Sequence, residues 1–370
     1  MILGVSAEQE ELRASVRRFL ADRAPMSRVR ELMDGGETDW AVWEQAGSQL
    51  GLQGLAIPEA YGGAGFSFAE QAVVLEEFGA ALYGGPYLAS AVLAATALLA
   101  SPDEGARRGL LPDIASGQTV ATLAFTEDGG SWDPAAIRLS AVKDGEAWRL
   151  DGHKSFVLDG ATAGLILVVA TTDAGLSLFA VEGDAAGLGR AALPALDQTR
   201  QLARLEFAGV TGRLIGSPGD GAAALDRALD VAAVALAAEQ LGGAQRALDM
   251  AVKYAKVRRQ FDRPIGSFQA IKHRCADLLL EVESLRSAVG YAAAAVAEDS
   301  AEIPVLASLV KAYASETYFH VAAENIQIHG GIGFTWEHDA HLYFKRAKAS
   351  ELFLGDGAYH RERLANRIGL

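Results

Sequence analysis

The sequence predicts an α+β fold in three consecutive parts. A helical segment covers residues 1–118, a small antiparallel β domain 119–213, and a helical bundle 214–370. Three observations carry this. Apolar residues recur at helical spacing in the first part. Short β-forming runs separated by Gly and Asp turns follow at regular intervals. From about residue 220, four long amphipathic segments run almost to the end.

In the first part, residues 68–79 place Val74, Phe78 and Leu82 at four-residue spacing, with Glu70, Glu76 and Glu77 elsewhere, which predicts a helix. Ser67 stands where a helix N-cap belongs, and Gly79 where the helix would end. Gly62-Gly63-Ala64-Gly65 predicts a loop, and residues 89–100 a second, more buried helix. In the middle part, strands are expected at 119–125, 148–150, 165–170, 176–181 and 202–207. In the third part, helices are expected at 222–260, 268–297, 304–328 and 338–353. Helices of this kind bury their apolar faces against one another, as in a four-helix bundle.

Composition narrows the function. A chain of 370 residues is long enough for two or three domains. With 50% hydrophobic and 22% charged residues it reads as globular, not disordered. Lys and Arg total 33 against 47 Asp and Glu, a net charge of −14, so no nucleic-acid partner is expected. Cys275 is the single cysteine, which excludes a disulfide framework and a cysteine zinc site. Met1–Arg13 shows no basic start followed by an apolar run, and the apolar stretch 88–100 is too short to span a bilayer. A cytoplasmic protein without a membrane partner is therefore expected.

The glycine cluster Gly330-Gly331-Ile332-Gly333 follows a helix and lacks a Gly-Lys-Ser/Thr, so it is neither a dinucleotide fingerprint nor a phosphate loop. No Gly-x-Ser-x-Gly accompanies it, which argues against a lipase oxyanion loop. It reads as a helix-ending turn or as a place of close backbone approach to a ligand. Arg258-Arg259, with Lys253, Lys256 and Arg263, reads as a solvated helix end or as an anion site, for example for a pyrophosphate. His338 and His341 can share a helix face beside Glu337, but no separate carboxylate–His constellation supports a metal, and none is expected. Cys275 lies in an apolar helix and is expected in the core.

Several motifs, in order along the whole chain, resemble the acyl-CoA dehydrogenase family of flavoenzymes. Gly51-Leu52-Gln53-Gly54-Leu55-Ala56-Ile57-Pro58-Glu59, Tyr61-Gly62-Gly63 and Val74-Leu75-Glu76-Glu77 look like its first helical domain. Ala124-Phe125-Thr126-Glu127-Asp128-Gly129-Gly130 resembles its Thr-Glu-Pro-Gly strand. Gly152-His153-Lys154-Ser155-Phe156-Val157 resembles its Gly-x-Lys-x-Trp-Ile segment. Residues 258–269, from Arg258-Arg259-Gln260-Phe261 to Gln269, match its most specific signature, and Gln327-Ile328-His329-Gly330-Gly331-Ile332-Gly333-Phe334 matches its C-terminal glycine motif.

The resemblance implies the α–β–α fold, FAD, a tetramer, and α,β-desaturation of an acyl-CoA thioester in β-oxidation. In that reaction a carboxylate removes the α-proton and the flavin accepts the β-hydrogen as hydride. An electron-transfer flavoprotein is the implied acceptor. Both positions at which the family carries its glutamate are altered. Leu354 stands in the Tyr-Glu-Gly-Thr-like stretch and Ala232 in the Leu-Asp-Leu-Glu-Arg-like stretch. Asp356 is the fallback base, with Glu351 and Glu239 as further candidates. The catalytic residue is thus open.

The resemblance also sorts the cofactor residues. Those that a family subunit lends to its neighbour's FAD are kept as Arg258, Phe261, Gln269, Gln327, Gly330 and Gly331. Those that hold the flavin ring in its own subunit, around Phe125, Thr126 and Phe156, are eroded. Asp128 replaces a proline, Trp132 a serine, Phe156 a tryptophan and Leu158 a hydroxyl residue. This pattern resembles the non-catalytic subunit of heteromeric α2β2 bacterial dehydrogenases of steroid side-chain CoA esters, as does the run from Gly333 to His338. The expected partner is a catalytic subunit of the same family. The alternatives are a self-sufficient homotetramer with a relocated base and a flavin-free structural partner.

Overall fold

The computed structural model describes residues 6–35, 38–145 and 147–370, so the opening of the Met1–Arg13 stretch lies outside it. Ser6 starts the first helix by a reciprocal cap. Its hydroxyl accepts from the Gln9 amide, and the Gln9 side chain accepts from the Ser6 amide, which opens α1 (Ala7–Arg23). Helices α2 (Met26–Gly35) and α3 (Trp40–Leu50) follow, the latter capped by Asp39 and ended by Gly51 at φ 63°. Helix α4 (Phe68–Ala81) comes next. Leu88–Ala94 is a buried π-helical stretch that continues as α5 (Ala95–Ala100), and α6 (Glu104–Ala115) closes the first part.

Gly79 does not end its helix, which runs on to Ala81. Its role is packing. A Cβ at Gly79 would lie 1.8 Å from the carbonyl oxygen of Glu239, and one at Gly242 would lie 1.8 Å from that of Glu76. Helix α4 therefore crosses α7 (Gly221–Val257) backbone against backbone, and only glycine fits at the crossing.

The β domain comprises β1 (Ala121–Ala124), β2 (Ser140–Asp144), β3 (Ala147–Leu158), β4 (Leu165–Thr172), β5 (Gly175–Glu182), β6 (Leu188–Leu193) and β7 (Leu202–Ile215). They form one sheet in the order β1-β4-β2-β3-β7-β5, with β6 also on β7. The long pairings β2–β3, β3–β7, β4–β5 and β6–β7 are antiparallel, as expected. Strand β1 instead runs parallel to β4, with Ala121 opposite Leu165, and β2 meets β4 in a short parallel pairing at Ser140 and Thr171, so the sheet is mixed, not purely antiparallel. The intervening chain between β1 and β4 is long enough for the crossover a parallel pair needs. Strands β2 and β6 escape the sequence pattern because their side chains are mostly exposed and not β-branched.

In the last part α7 stops at Val257, not at 260. Arg259–Gln260 (β8) and Arg263–Pro264 (β9) pair as a small hairpin whose tip, Phe261 and Asp262, has φ 52° and 62°. Two positive φ values at the tip match the twist of a two-residue hairpin. Helices α8 (Gln269–Ala297), α9 (Ile303–His329) and α10 (Ala340–Leu352) lie close to the expected spans. Helix α11 (Gly357–Ile368) is additional. Its sequence is strongly basic and polar, which hides its narrow apolar stripe.

The chain divides into two compact units. One holds residues 1–31, 68–83 and 233–370; the other holds 32–67 and 84–232.

Candidate functional site

In the first unit, Ala251, Ala255 and Ile328 form a small buried core, with Tyr254, Ile265, Ile271 and Cys275 packed against it. This core ties the end of α7, the start of α8 and the end of α9 together at one end of the bundle. Arg258, Phe261, Gln269, Gln327, Gly330 and Gly331 are all exposed there. Phe261 is 86% exposed at the hairpin tip. Its ring lies edge-on to Phe268, over which the Arg263 guanidinium sits at 3.9 Å. Gly330 ends α9 with φ 65° and ψ −146°, a conformation open essentially to glycine alone. A Cβ on Gly330 or Gly331 would meet nothing within 4 Å, so their backbone faces open space.

The histidines of this region are packed. His329 is buried, with Nδ1 2.8 Å from the Asn325 carbonyl. Its ring stacks on Tyr254 at 4.3 Å and tilts against His338 at 4.4 Å. Burial lowers its pKa, and burial does the same for His341, which lies edge-on to Trp336. Cys275 is half-buried, which pushes its thiol up. Among the described residues no group of three or more His, Cys, Asp or Glu could hold a metal ion.

In the second unit, Phe125 and Thr126 are buried beyond the end of β1. Lys154, fully buried, donates to the Phe125 carbonyl and to Glu127 Oε1, both at 3.0 Å. Glu127 Oε1 also accepts from the amides of Arg138 (2.8 Å) and Leu139 (2.7 Å). Desolvation lowers Lys154 to about 8, against the pull of Glu127. The β3–β7 register shifts between Lys154 and Val157, and Phe156 sits in that bulge at φ 58°. The Ser155 amide donates to the Thr126 carbonyl at 2.8 Å, and the Thr122 hydroxyl to the Leu158 carbonyl at 2.6 Å. Asp128 accepts from Ser155 Oγ and from Arg204, whose Nε lies at 3.0 Å. His153 Nε2 lies 3.2 Å from Asp128. Arg204 and Ser155 together hold the Asp128 carboxyl at about 2.

The two base positions are apolar and buried. Ala232 lies fully buried within α7, and Leu354 is 4% exposed in the turn between α10 and α11. The fallback carboxylates are engaged. Asp356 caps α11 by accepting from the Tyr359 amide at 2.8 Å. Glu351 pairs with Lys348 at 2.9 Å, and buried Glu239 pairs with buried Arg346 at 2.6 Å. Sequence reasoning gave Lys154 no role beyond its motif and passed over Lys311 and His360; each is buried and donates to a carbonyl of, or adjacent to, a predicted site residue. The signal for Lys311 was a lone charge in the apolar helical run Ser308-Leu309-Val310-Lys311-Ala312.

Helical parts before and after a β domain, with a glycine turn ending a bundle helix and an exposed Arg-x-x-Phe hairpin, are the arrangement that the resemblance to a flavoprotein dehydrogenase implies. Family models for the acyl-CoA dehydrogenase N-terminal, middle and C-terminal domains match residues 6–118, 122–210 and 219–369. The chain belongs to the acyl-CoA dehydrogenase family, FAD-dependent oxidoreductases acting on CH–CH bonds. It is 37% identical to acyl-CoA dehydrogenase IpdE2 of Mycobacterium tuberculosis over 349 residues, 94% of this chain and 93% of that protein. A variant of the Tcur3481–Tcur3483 steroid ACAD is 35% identical, with a TM-score of 0.89 over 99% of this chain and 98% of that one. The ChsE4–ChsE5 complex of Mycobacterium tuberculosis contains a chain 30% identical, with a TM-score of 0.90 over 100% of this chain and 99% of that one. Among the described residues, no helix is long and apolar enough to cross a membrane.

Proposed function

We propose that this chain is the non-catalytic subunit of a mixed tetramer, lending FAD-binding residues to a catalytic acyl-CoA dehydrogenase partner. The observation that carries the reading is an asymmetry. The six residues of the lent set are all on the surface at one end of the bundle, while both base positions are buried and apolar. A guanidinium (Arg258), two amides (Gln269, Gln327), an exposed ring (Phe261) and the open backbone of Gly330-Gly331 suit phosphates and an adenine. The chain's own ring-binding side does not fit in the same way. Leu158 brings no hydroxyl, the Thr126 carbonyl is already paired, and the Asp128–Arg204 ion pair replaces an apolar proline.

When bound, FAD supplies the hydride acceptor. Arg258 would neutralise phosphate charge, Gln269 and Gln327 would orient the dinucleotide, and Phe261 would cover it from water. The partner would supply the carboxylate and the acyl pocket. The substrate class proposed is a steroid-derived acyl-CoA thioester, supported by 35% identity to a steroid dehydrogenase complex. An electron-transfer flavoprotein is the proposed acceptor.

The test is visible absorbance of the protein alone and mixed with a candidate catalytic acyl-CoA dehydrogenase subunit from the same organism, each challenged anaerobically with a steroid CoA ester. A flavin band that bleaches only in the mixture supports the shared site. A lone yellow protein that bleaches by itself overturns it and makes Asp356 the first residue to change. Colourless protein in both conditions points to a purely structural partner.

A further inference from the structure

Four residues, Phe353 to Asp356, join α10 to α11, and Leu354 among them has φ 62°. A leucine in the left-handed region is strained, and nothing about its side chain favours that backbone. Gly355 follows at φ 103°, where a Cβ would lie 2.2 Å from the Tyr359 ring. Two helices outside the turn reach its carbonyls. Lys311, fully buried on α9, donates from Nζ to the carbonyls of Glu351 (3.1 Å) and Gly355 (2.9 Å), and to Ser315 Oγ (2.9 Å). His360, 2% exposed on α11, donates from Nε2 to the Leu354 carbonyl at 3.0 Å. Its Nδ1 has no hydrogen-bond partner among the described residues. Burial, then the nearby Lys311 charge, holds this ring in its neutral form. The carbonyls on both sides of the turn are thus gripped from α9 and α11.

We infer that Lys311 and His360 are positioning residues that impose the left-handed turn at 354 whatever side chain stands there. The inference deepens the proposed function, because it rests on 354 being the family's base position. It explains how leucine is held in a backbone conformation that its own side chain does not favour: the turn is built by its neighbours. The same seat would take a carboxylate.

The test needs neither flavin nor substrate. Amide hydrogen exchange is followed over residues 353–357 in the full chain. His360→Leu removes the donor and is expected to speed exchange there by about tenfold or more. His360→Gln keeps an Nε2 donor and is expected to restore protection. Lys311→Met is expected to act in the same direction as His360→Leu. Leu354→Glu is expected to leave the exchange pattern of the turn unchanged. Unchanged exchange in His360→Leu, or loss without rescue by glutamine, would overturn the inference. So would a turn that loses protection in Leu354→Glu. Because exchange is read without a cofactor, failure here is separate from failure of the mixed-tetramer reading, which the flavin experiment decides.

Discussion

Lowering the pH should expose the cost of keeping His360 neutral. Burial and Lys311 push its pKa from 6.5 to about 3, and the Leu354 carbonyl only partly opposes them. Below pH 6.5 the unfolded chain binds a proton that the folded chain refuses. The stability present above 6.5 is therefore lost as pH falls toward 3. Between pH 7.5 and 5 the loss from this group is about 2 kcal/mol. The wild-type profile alone will hide it. Asp159, fully buried, is raised to about 7 mainly by desolvation. Its folded state keeps a proton that the unfolded state sheds above 3.8, so its stabilising effect grows on acidification, by about 2.5 kcal/mol over the same interval. The informative quantity is wild type minus His360→Gln, since glutamine keeps the donor to Leu354 and does not titrate. Urea denaturation at pH 7.5 and 5 should show the wild-type midpoint falling relative to the variant by about 0.7 M, for a slope of about 3 kcal/mol/M. Parallel midpoints at both pH values would mean that His360 titrates alike in the folded and unfolded chain, and the reasoning would be wrong.

Other perturbations have equally definite expectations. Gly79→Ala puts a Cβ 1.8 Å from the Glu239 carbonyl oxygen, so α4 and α7 must separate; a loss of about 3 kcal/mol is expected in denaturant melts, and a loss below about 1 kcal/mol would contradict the crossing. Asp159→Asn should lift stability at pH 8 relative to wild type and lose that advantage by pH 5, read from thermal midpoints at the two pH values. Arg258→Ala should weaken FAD binding by the mixed tetramer by roughly tenfold or more, measured by flavin fluorescence titration, while leaving the chain's own unfolding midpoint unchanged because the side chain is exposed. Thr122→Val should cost about 1 kcal/mol by removing the buried hydrogen bond to the Leu158 carbonyl, measured in denaturant melts.

Much of this molecule was legible in one dimension. The order helices, strands, helices follows from period, since an amphipathic helix or a buried strand writes its spacing into the chain. The family followed from short motifs whose residues act locally, such as Arg258 to Phe261 on one hairpin and Gly330 at a helix end. Residues whose meaning depends on a distant backbone were not legible. Gly79 looked like a stop signal because its reason, the Glu239 carbonyl, lies far along the chain. Asp356 looked like a free carboxylate until α11 claimed it as a cap. Nothing near Lys311 in sequence points to the turn at Leu354, yet its amine donates to the Glu351 and Gly355 carbonyls there. Local sequence determines which elements form and which side chains they carry. Burial, long-range hydrogen bonds and backbone crossings arise only when elements far apart in sequence meet, and those decided what each polar residue does.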